Sequence, residues 1–511
     1  MNRKLPFGTR IQIALSALVT LMVCAGASLT PSPAQAQWAP ETTITSETAG
    51  VDHFFGQAVA TVGTINGTSI LVLGAPGAAD EGRAYLVNAS SGNIRATLTS
   101  PNGDFGGEFG AAVGTVGDIT GDGFPDVIVG APQEAATSGE NNAGATYLYD
   151  GDTGAFIRTL QTSSANIDPG RRLGSAVAGV GDIDGGGDPD ILVGAPFQAA
   201  GGAQGAGRAY LFRGEDGSVI RTITGGNEDT GRFGTSVAGV GNLVGDATPD
   251  LLIGAPRENA TAAGSPLNEA GRVYLIDGSG TLGPTVITSS NVETGGQFGN
   301  SVASFGPTDD QDFVIGAFNE NAGGQSGAGR AYLFDGADPT GTPLTLRSEQ
   351  LESAGAFGRS VSSVDDVDGD GIEDVIVGAP GETVRGTAEA GRAYIFSSNS
   401  GTAAGTLTSS SIDDSRFGAA VAGGQFPIVG ASEEDIGSTL QAGRVYLFTP
   451  GIALTDGRDG EIYSPPSPTP GTEANPIGRF RLEVGGVGPS LETVTVTNFA
   501  PTPSGVSNIE L

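Results

Sequence analysis

Two nine-residue stretches carry oxygen-bearing side chains at alternate positions: DITGDGFPD (118–126) and DVDGDGIED (366–374). Both read D-x-[DT]-x-D-G-x-x-D. A hard divalent cation such as Ca²⁺ takes six to eight oxygen ligands, and a tight loop with oxygens on every second residue can wrap one ion. Positions 1, 3 and 5 are Asp118, Thr120 and Asp122 in the first loop, and Asp366, Asp368 and Asp370 in the second. Gly at position 6 permits a sharp turn. Position 7 offers a backbone carbonyl, from Phe124 or Ile372, and position 9 is Asp126 or Asp374. A helical EF-hand loop does not fit, because position 12 holds no Glu and an apolar strand-like run follows.

A third stretch, DIDGGGDPD (182–190), keeps Asp182, Asp184 and Asp190 but has Gly186 at position 5 and Asp188 at position 7. A weaker site, or one completed by water, is expected there. NLVGDATPD (242–250) has Val244 at position 3 and is expected to hold no ion. Carboxylates crowded on one short loop repel each other until a cation neutralises them. The expected role of Ca²⁺ is therefore structural: two sites, with a third at 182–190.

Other chemistry has little to work with. Cys24 is the only cysteine, Lys4 the only lysine and His53 the only histidine. Cys–His and Ser–Lys catalysis and a three-His zinc site are thereby excluded for the chain beyond residue 36. Paired carboxylates could still hydrolyse glycosides, so a polysaccharide hydrolase or lyase is the competing reading. The Asp clusters, however, are better explained as cation loops.

The elements that must position these loops repeat. Phe-Gly, or Leu-Gly once, recurs at Phe55, Phe109, Leu173, Phe233, Phe298, Phe357 and Phe417, at spacings of 54, 64, 60, 65, 59 and 60. Each pair precedes a small-residue alternating stretch, then an apolar run ending in Gly-Ala, such as VIVGAP (127–132). Gly-Arg-x-Tyr or a variant follows, with Tyr85, Tyr147, Tyr210, Tyr274, Tyr332, Tyr394 and Tyr446. A last short strand, as in ATLTS (96–100), leads to the next pair. These four β segments per unit, A to D, are too short for helices.

Seven copies of a four-stranded antiparallel unit describe an all-β, seven-bladed β-propeller over residues 37–450. The seventh unit has A, B and C segments (417–423, 426–430, 443–448) but no good D strand. ETTITS (41–46) matches the D pattern, so this N-terminal strand is expected to complete blade seven and close the ring. Otherwise both ends would be open sheet edges.

Residues 1–36 read as a secretory signal peptide: Arg3, Lys4 and Arg10, an apolar stretch from Ile11 to Ala27, then Ala34-Gln35-Ala36. The whole chain has 57 acidic and 24 basic residues, a formal charge of −33. Such a charge repels nucleic acid and anionic membranes. Beyond the leader no apolar run is long enough to span a bilayer. PPSPTP (465–470) marks a stiff Pro-rich linker over 451–475, and 476–511 shows two strand-like runs, 479–484 and 491–499, forming a short C-terminal β segment.

These seven in-phase units resemble the FG-GAP repeat of the integrin α-subunit N-terminal propeller. Leu173, Phe318 and Ser432 depart from the repeat pattern. The resemblance implies seven blades, cation loops between strands A and B, and ligands on the opposite face. In an up-down-up-down blade the A–B and C–D loops share one face, and the B–C and D–A loops the other. Long B–C loops at 133–143, 257–270, 319–328 and 381–390 occupy that second face. An adhesion or interaction module is expected, with an extracellular protein or glycan as partner. Secretion, cell-surface display and a periplasmic location all suit the export signal. The Arg of Gly-Arg-x-Tyr is expected to be structural, pairing with acidic loops or carbonyls.

Overall fold

A computed structural model describes residues 38–46, 50–135, 141–162, 170–262, 264–306, 311–411, 413–450, 480–485 and 493–498. The signal-peptide and Pro-rich linker segments lie outside these residues. The chain divides into two units, one to Ile452 and one from Ala453.

Seven four-stranded antiparallel sheets make up the first unit. In blade 2 the strands are Ala112–Val116, Asp126–Ala131, Ala145–Tyr149 and Phe156–Leu160. Strand B is wholly buried in most blades, as its unbroken apolar run requires, whereas strand D alternates or faces solvent. Strand A of each blade neighbours strand A of the next, and that of blade 7 (Ala420–Ala422) neighbours that of blade 1 (Ala58–Ile65). The circle is therefore closed. Strand A residues from Val59 in blade 1 to Val421 in blade 7 line an axial cavity of about 490 Å³.

Closure uses the chain's start. Trp38–Ile44 pairs antiparallel with Arg444–Pro450, with Trp38 opposite Pro450 and Ile44 opposite Val445. The strand starts three residues earlier than the ETTITS pattern indicates. It also crosses a register shift between Pro40 and Thr42, as suits a proline that cannot donate to the ladder. The blade 4 B–C loop adds a two-stranded ribbon, Ala260–Ala262 with Ser265–Leu267.

The Phe-Gly and Gly-Ala signatures have a packing origin. Seven apolar clusters fill the seven gaps between blades, and each contains one residue of the recurring pair: Phe55, Phe109, Leu173, Phe233, Phe298, Phe357 or Phe417. Leu173 is as completely buried as the phenylalanines, so the exception preserves burial. The glycine after it donates to the Gly-Ala glycine of its own blade, as Gly110 N–H does to Gly130 O at 3.0 Å. Its carbonyl presses on the Gly-Ala glycine of the preceding blade: a Cβ on Gly130 would stand 2.0 Å from Gly174 O. No side chain fits there.

The C-terminal unit has two described strands, Phe480–Gly485 and Thr493–Asn498, paired antiparallel with Phe480 opposite Asn498.

Candidate metal centres

The four Asp-rich loops join strand A to strand B in blades 2, 3, 4 and 6. Position 9 opens strand B, or in blade 4 immediately precedes it, and its side chain is buried, whereas positions 4 to 6 of all four loops are exposed. Asp126, Asp190, Asp250 and Asp374 are fully buried. One oxygen of each gathers amides of its own loop: Asp126 Oδ2 accepts from Ile119 (2.9 Å) and Thr120 (3.0 Å). The other oxygen accepts from the C–D loop: Gly151 N–H to Asp126 at 3.2 Å, Gly214 N–H to Asp190 at 3.0 Å, Gly278 N–H to Asp250 at 3.0 Å. Blade 5 lacks the loop motif, yet Asp312 accepts from Gly336 N–H at 2.8 Å in the same way. The ninth-position aspartate thus ties the A–B loop to the C–D loop. That duty was not read from the sequence; its signal is the Asp at the start of strand B in blades 4 and 5, where the full cation pattern is broken. Burial pushes the Asp374 carboxyl up to about 6, against the backbone amides that donate to it.

Among the described residues, two carboxylate trios have oxygens all within 4.8 Å of one another: Asp182, Asp184 and Asp190, and Asp366, Asp368 and Asp374. Both occupy positions 1, 3 and 9. At 118–126 these positions are Asp118, Thr120 and Asp126, so a hydroxyl replaces one carboxylate. Asp118 takes amides from Gly121 (2.6 Å), Asp122 (3.1 Å) and Gly123 (2.7 Å). Slight burial works against its charge, but these amides hold its carboxyl below the ordinary value. Asp366 is cradled alike by Gly369 and Gly371 at 2.6 and 2.8 Å. Position 5 turns inward on its own loop: Asp122 accepts from Phe124 N–H at 2.8 Å, and Asp370 from Ile372 N–H at 2.9 Å. The donor set is all oxygen and mostly carboxylate, with position 9 buried beneath the loop, which suits a hard cation such as Ca²⁺.

The 182–190 loop differs in one partner. Arg213, in the blade 3 C–D loop, donates through Nε to Asp184 Oδ2. That hydrogen bond leads in holding the Asp184 carboxyl below its ordinary value. Asp188 stands outside the converging trio. Corresponding positions after strand C carry Asp150, Asp277, Asp335 and Ser397, none of them cationic. A guanidinium therefore lies against one of the three carboxylates that a cation would use here, a partner that the loops of blades 2 and 6 do not have.

A second recurring group, also unread in the sequence, lies between strands B and C near the opposite face. Glu134, Glu258, Glu320, Glu382 and Glu434, two residues past Gly-Ala-Pro or its variant, are buried. Each accepts from the Gly-Arg-x-Tyr tyrosine of its own blade, as Tyr394 Oη does to Glu382 at 2.5 Å. The repeat arginines join them: Arg272 Nη1 to Glu258 at 3.5 Å, Arg392 Nη1 to Glu382 at 3.0 Å and Arg444 Nη1 to Glu434 at 3.1 Å. This bears out the structural role expected of the repeated Arg.

Comparison with known proteins matches the FG-GAP repeat family at residues 109–149 and 357–396. Those are blades 2 and 6, the two that carry the complete D-x-[DT]-x-D-G-x-x-D loop. This chain carries FG-GAP repeats. Its FG-GAP propeller is similar to integrin alpha-4 of Xenopus laevis, 29% identical over 262 residues, covering 50% of this chain and 23% of that protein. It is 32% identical to integrin alpha-6 of Gallus gallus over 192 residues, 36% of this chain and 17% of that one. Human integrin alpha-IIb is 34% identical over 161 residues, 30% of this chain and 15% of that one. The FG-GAP chain thus aligns with less than a quarter of the length of these relatives. Among the described residues no helix is long and apolar enough to cross a membrane.

Proposed function

We propose that this FG-GAP propeller is an exported, extracellular adhesion or interaction module. Its A–B loops at 118–126 and 366–374 bind Ca²⁺ for stability, and its B–C loop face binds a protein or glycan. The observation that carries the reading is the tie between Gly151 N–H and Asp126 Oδ1. It sets the A–B and C–D loops on one face, so the acidic loops are committed to scaffolding there. The long B–C loops then belong to the other face of a rigid base, the usual place for recognition. Similarity to integrin α chains supports the same division of labour. Asp118, Thr120, Asp122 and Asp126 would hold one ion, with Asp366, Asp368, Asp370 and Asp374 holding the other. Bound Ca²⁺ would supply positive charge among the loop carboxylates and rigidify the A–B hairpin.

The test is capture of ligands by the full chain on peptide and glycan arrays, with Ca²⁺ and with chelator. Saturable capture that weakens in chelator, and is lost on replacing B–C loop residues, is the expected result. Absence of any captured ligand under either condition would overturn the proposal.

A further inference from the structure

The B–C loop face carries a cationic cluster on blades 3 and 4. Arg172 and Arg232 occupy equivalent places in consecutive repeats, each just before the Leu-Gly or Phe-Gly pair, with backbone φ of 56° and 63°. Phe197 follows Gly-Ala-Pro of blade 3 and stands between them. The Arg232 guanidinium carbon lies 3.4 Å from its ring centroid and that of Arg172 lies 4.5 Å away. The corresponding residue of blade 4 is Arg257, whose N–H donates to Gly231 O at 3.2 Å, beside Arg232. Three guanidiniums therefore gather in a protein of formal charge −33.

Their charges are under-compensated. Among the described residues the ion pair recorded for these arginines is Arg257 with Glu269, at 3.8 Å and well exposed. Arg232 Nη1 is buried without a hydrogen-bond partner. Burial, then Arg257 and Arg172, push the Arg232 guanidinium below its ordinary range. An arginine so placed gains most from a partner that brings negative charge to its accessible part. Planar forks of this kind take a carboxylate through two parallel hydrogen bonds.

We propose that Arg172, Phe197, Arg232 and Arg257 form a binding site for a single carboxylate of a protein ligand, an Asp or Glu side chain in an otherwise neutral or basic segment. This rests on the interaction-module reading and names the chemistry that module recognises. Two features select a protein over an acidic glycan. A polyuronate repeats its charge along the chain, and the surrounding negative surface repels every residue but one. A sugar would also need an open aromatic face, and guanidiniums stand against the Phe197 ring.

The experiment is a calorimetric titration of the full chain with three probes. They are an end-blocked pentapeptide bearing one central Glu among Gly and Ser, its Gln counterpart, and tetragalacturonate. The Glu peptide is expected to bind saturably, at least about tenfold tighter than the Gln peptide, a difference of ~1.4 kcal/mol. Arg232→Gln and, separately, Arg172→Gln should each remove that preference while the melting temperature in Ca²⁺ stays unchanged. Arg172→Lys, which keeps charge but loses the fork, should restore only part of it. Equal binding of the two peptides, or a preference for tetragalacturonate, would overturn the site. So would a Glu preference that survives both substitutions. Array ligands captured on the B–C loop face regardless of Arg172 and Arg232 would overturn it too, while leaving the interaction module standing.

Discussion

Arg213 donates its Nε–H to Asp184 in the 182–190 loop, placing a fixed positive charge where the loops of blades 2 and 6 present only oxygens. The position-5 carboxylate is absent from the same loop, where Gly186 stands. The two changes compensate: one anion fewer and one internal cation more. Arg213→Ser with Gly186→Asp should therefore create a cation site that the parent lacks. Calorimetric titration with Ca²⁺ is expected to gain one equivalent in the double variant. An unchanged stoichiometry would mean that Arg213 does not exclude the ion.

Chelation acts on the other two loops. Ca²⁺ at a hundred times its dissociation constant stabilises the folded state by about 2.7 kcal/mol per site. Melting in chelator should fall below melting in Ca²⁺. Asp366→Asn should shrink the difference, since Asp366 belongs to a converging trio. Identical melts in both conditions would show that these turns hold no stabilising metal.

Stability should also depend on pH through Glu320. Burial pushes its carboxyl up to about 7, outweighing the hydrogen bonds from Tyr332 and its neighbours. The unfolded chain returns it to the ordinary value near 4.5. Between these values the native state binds more protons than the unfolded one, so stability falls as pH rises. This contribution is fully present below about 4.5 and lost by about 7, and amounts to something on the order of 3 kcal/mol. Glu320→Gln keeps the shape without the titration. Denaturation of that variant from pH 4.5 to 7.5 should show a flatter profile than the parent; parallel profiles would assign the dependence elsewhere.

Gly378 is the tightest kind of blade contact, because an added Cβ would stand 2.0 Å from Gly418 O. Overpacking of a rigid interior costs about 1–3 kcal/mol even between side chains, and backbone has less room to yield. Gly378→Ala should lower the denaturation midpoint by at least that amount. Gly437, which has nothing near it, serves as the control for crowding. It has φ of 66°, so Gly437→Asn is the substitution its backbone tolerates.

Removal of Trp38–Ile44 should expose Arg444–Pro450 as an unpaired edge. Such edges template association. The truncated protein is expected to self-associate in light scattering and to melt at lower temperature than the full chain. A monomer of undiminished stability would argue against closure by this strand.

The linear order of residues by itself determined the repeat count, the four strands per unit and the closure by the N-terminal strand. All three follow from local periodicity: an apolar run such as VIVGA can only be a buried strand, and seven of them need one another to cover their faces. Asp118, Asp366 and their loop partners were legible for the same reason, since a cation loop is a contiguous pattern. Only the tertiary structure showed that one of the loops has a cationic neighbour, because Arg213 lies 29 residues from Asp184 and meets it across two loops of one blade. It also revealed that Asp126 serves the C–D loop and that Glu320 lies buried under Tyr332. The gathering of Arg172, Phe197, Arg232 and Arg257 was likewise hidden, since their separation in the chain is set to contact only by the rotation from one blade to the next. Strands announce themselves by period; contacts between loops depend on how the ring brings their ends together.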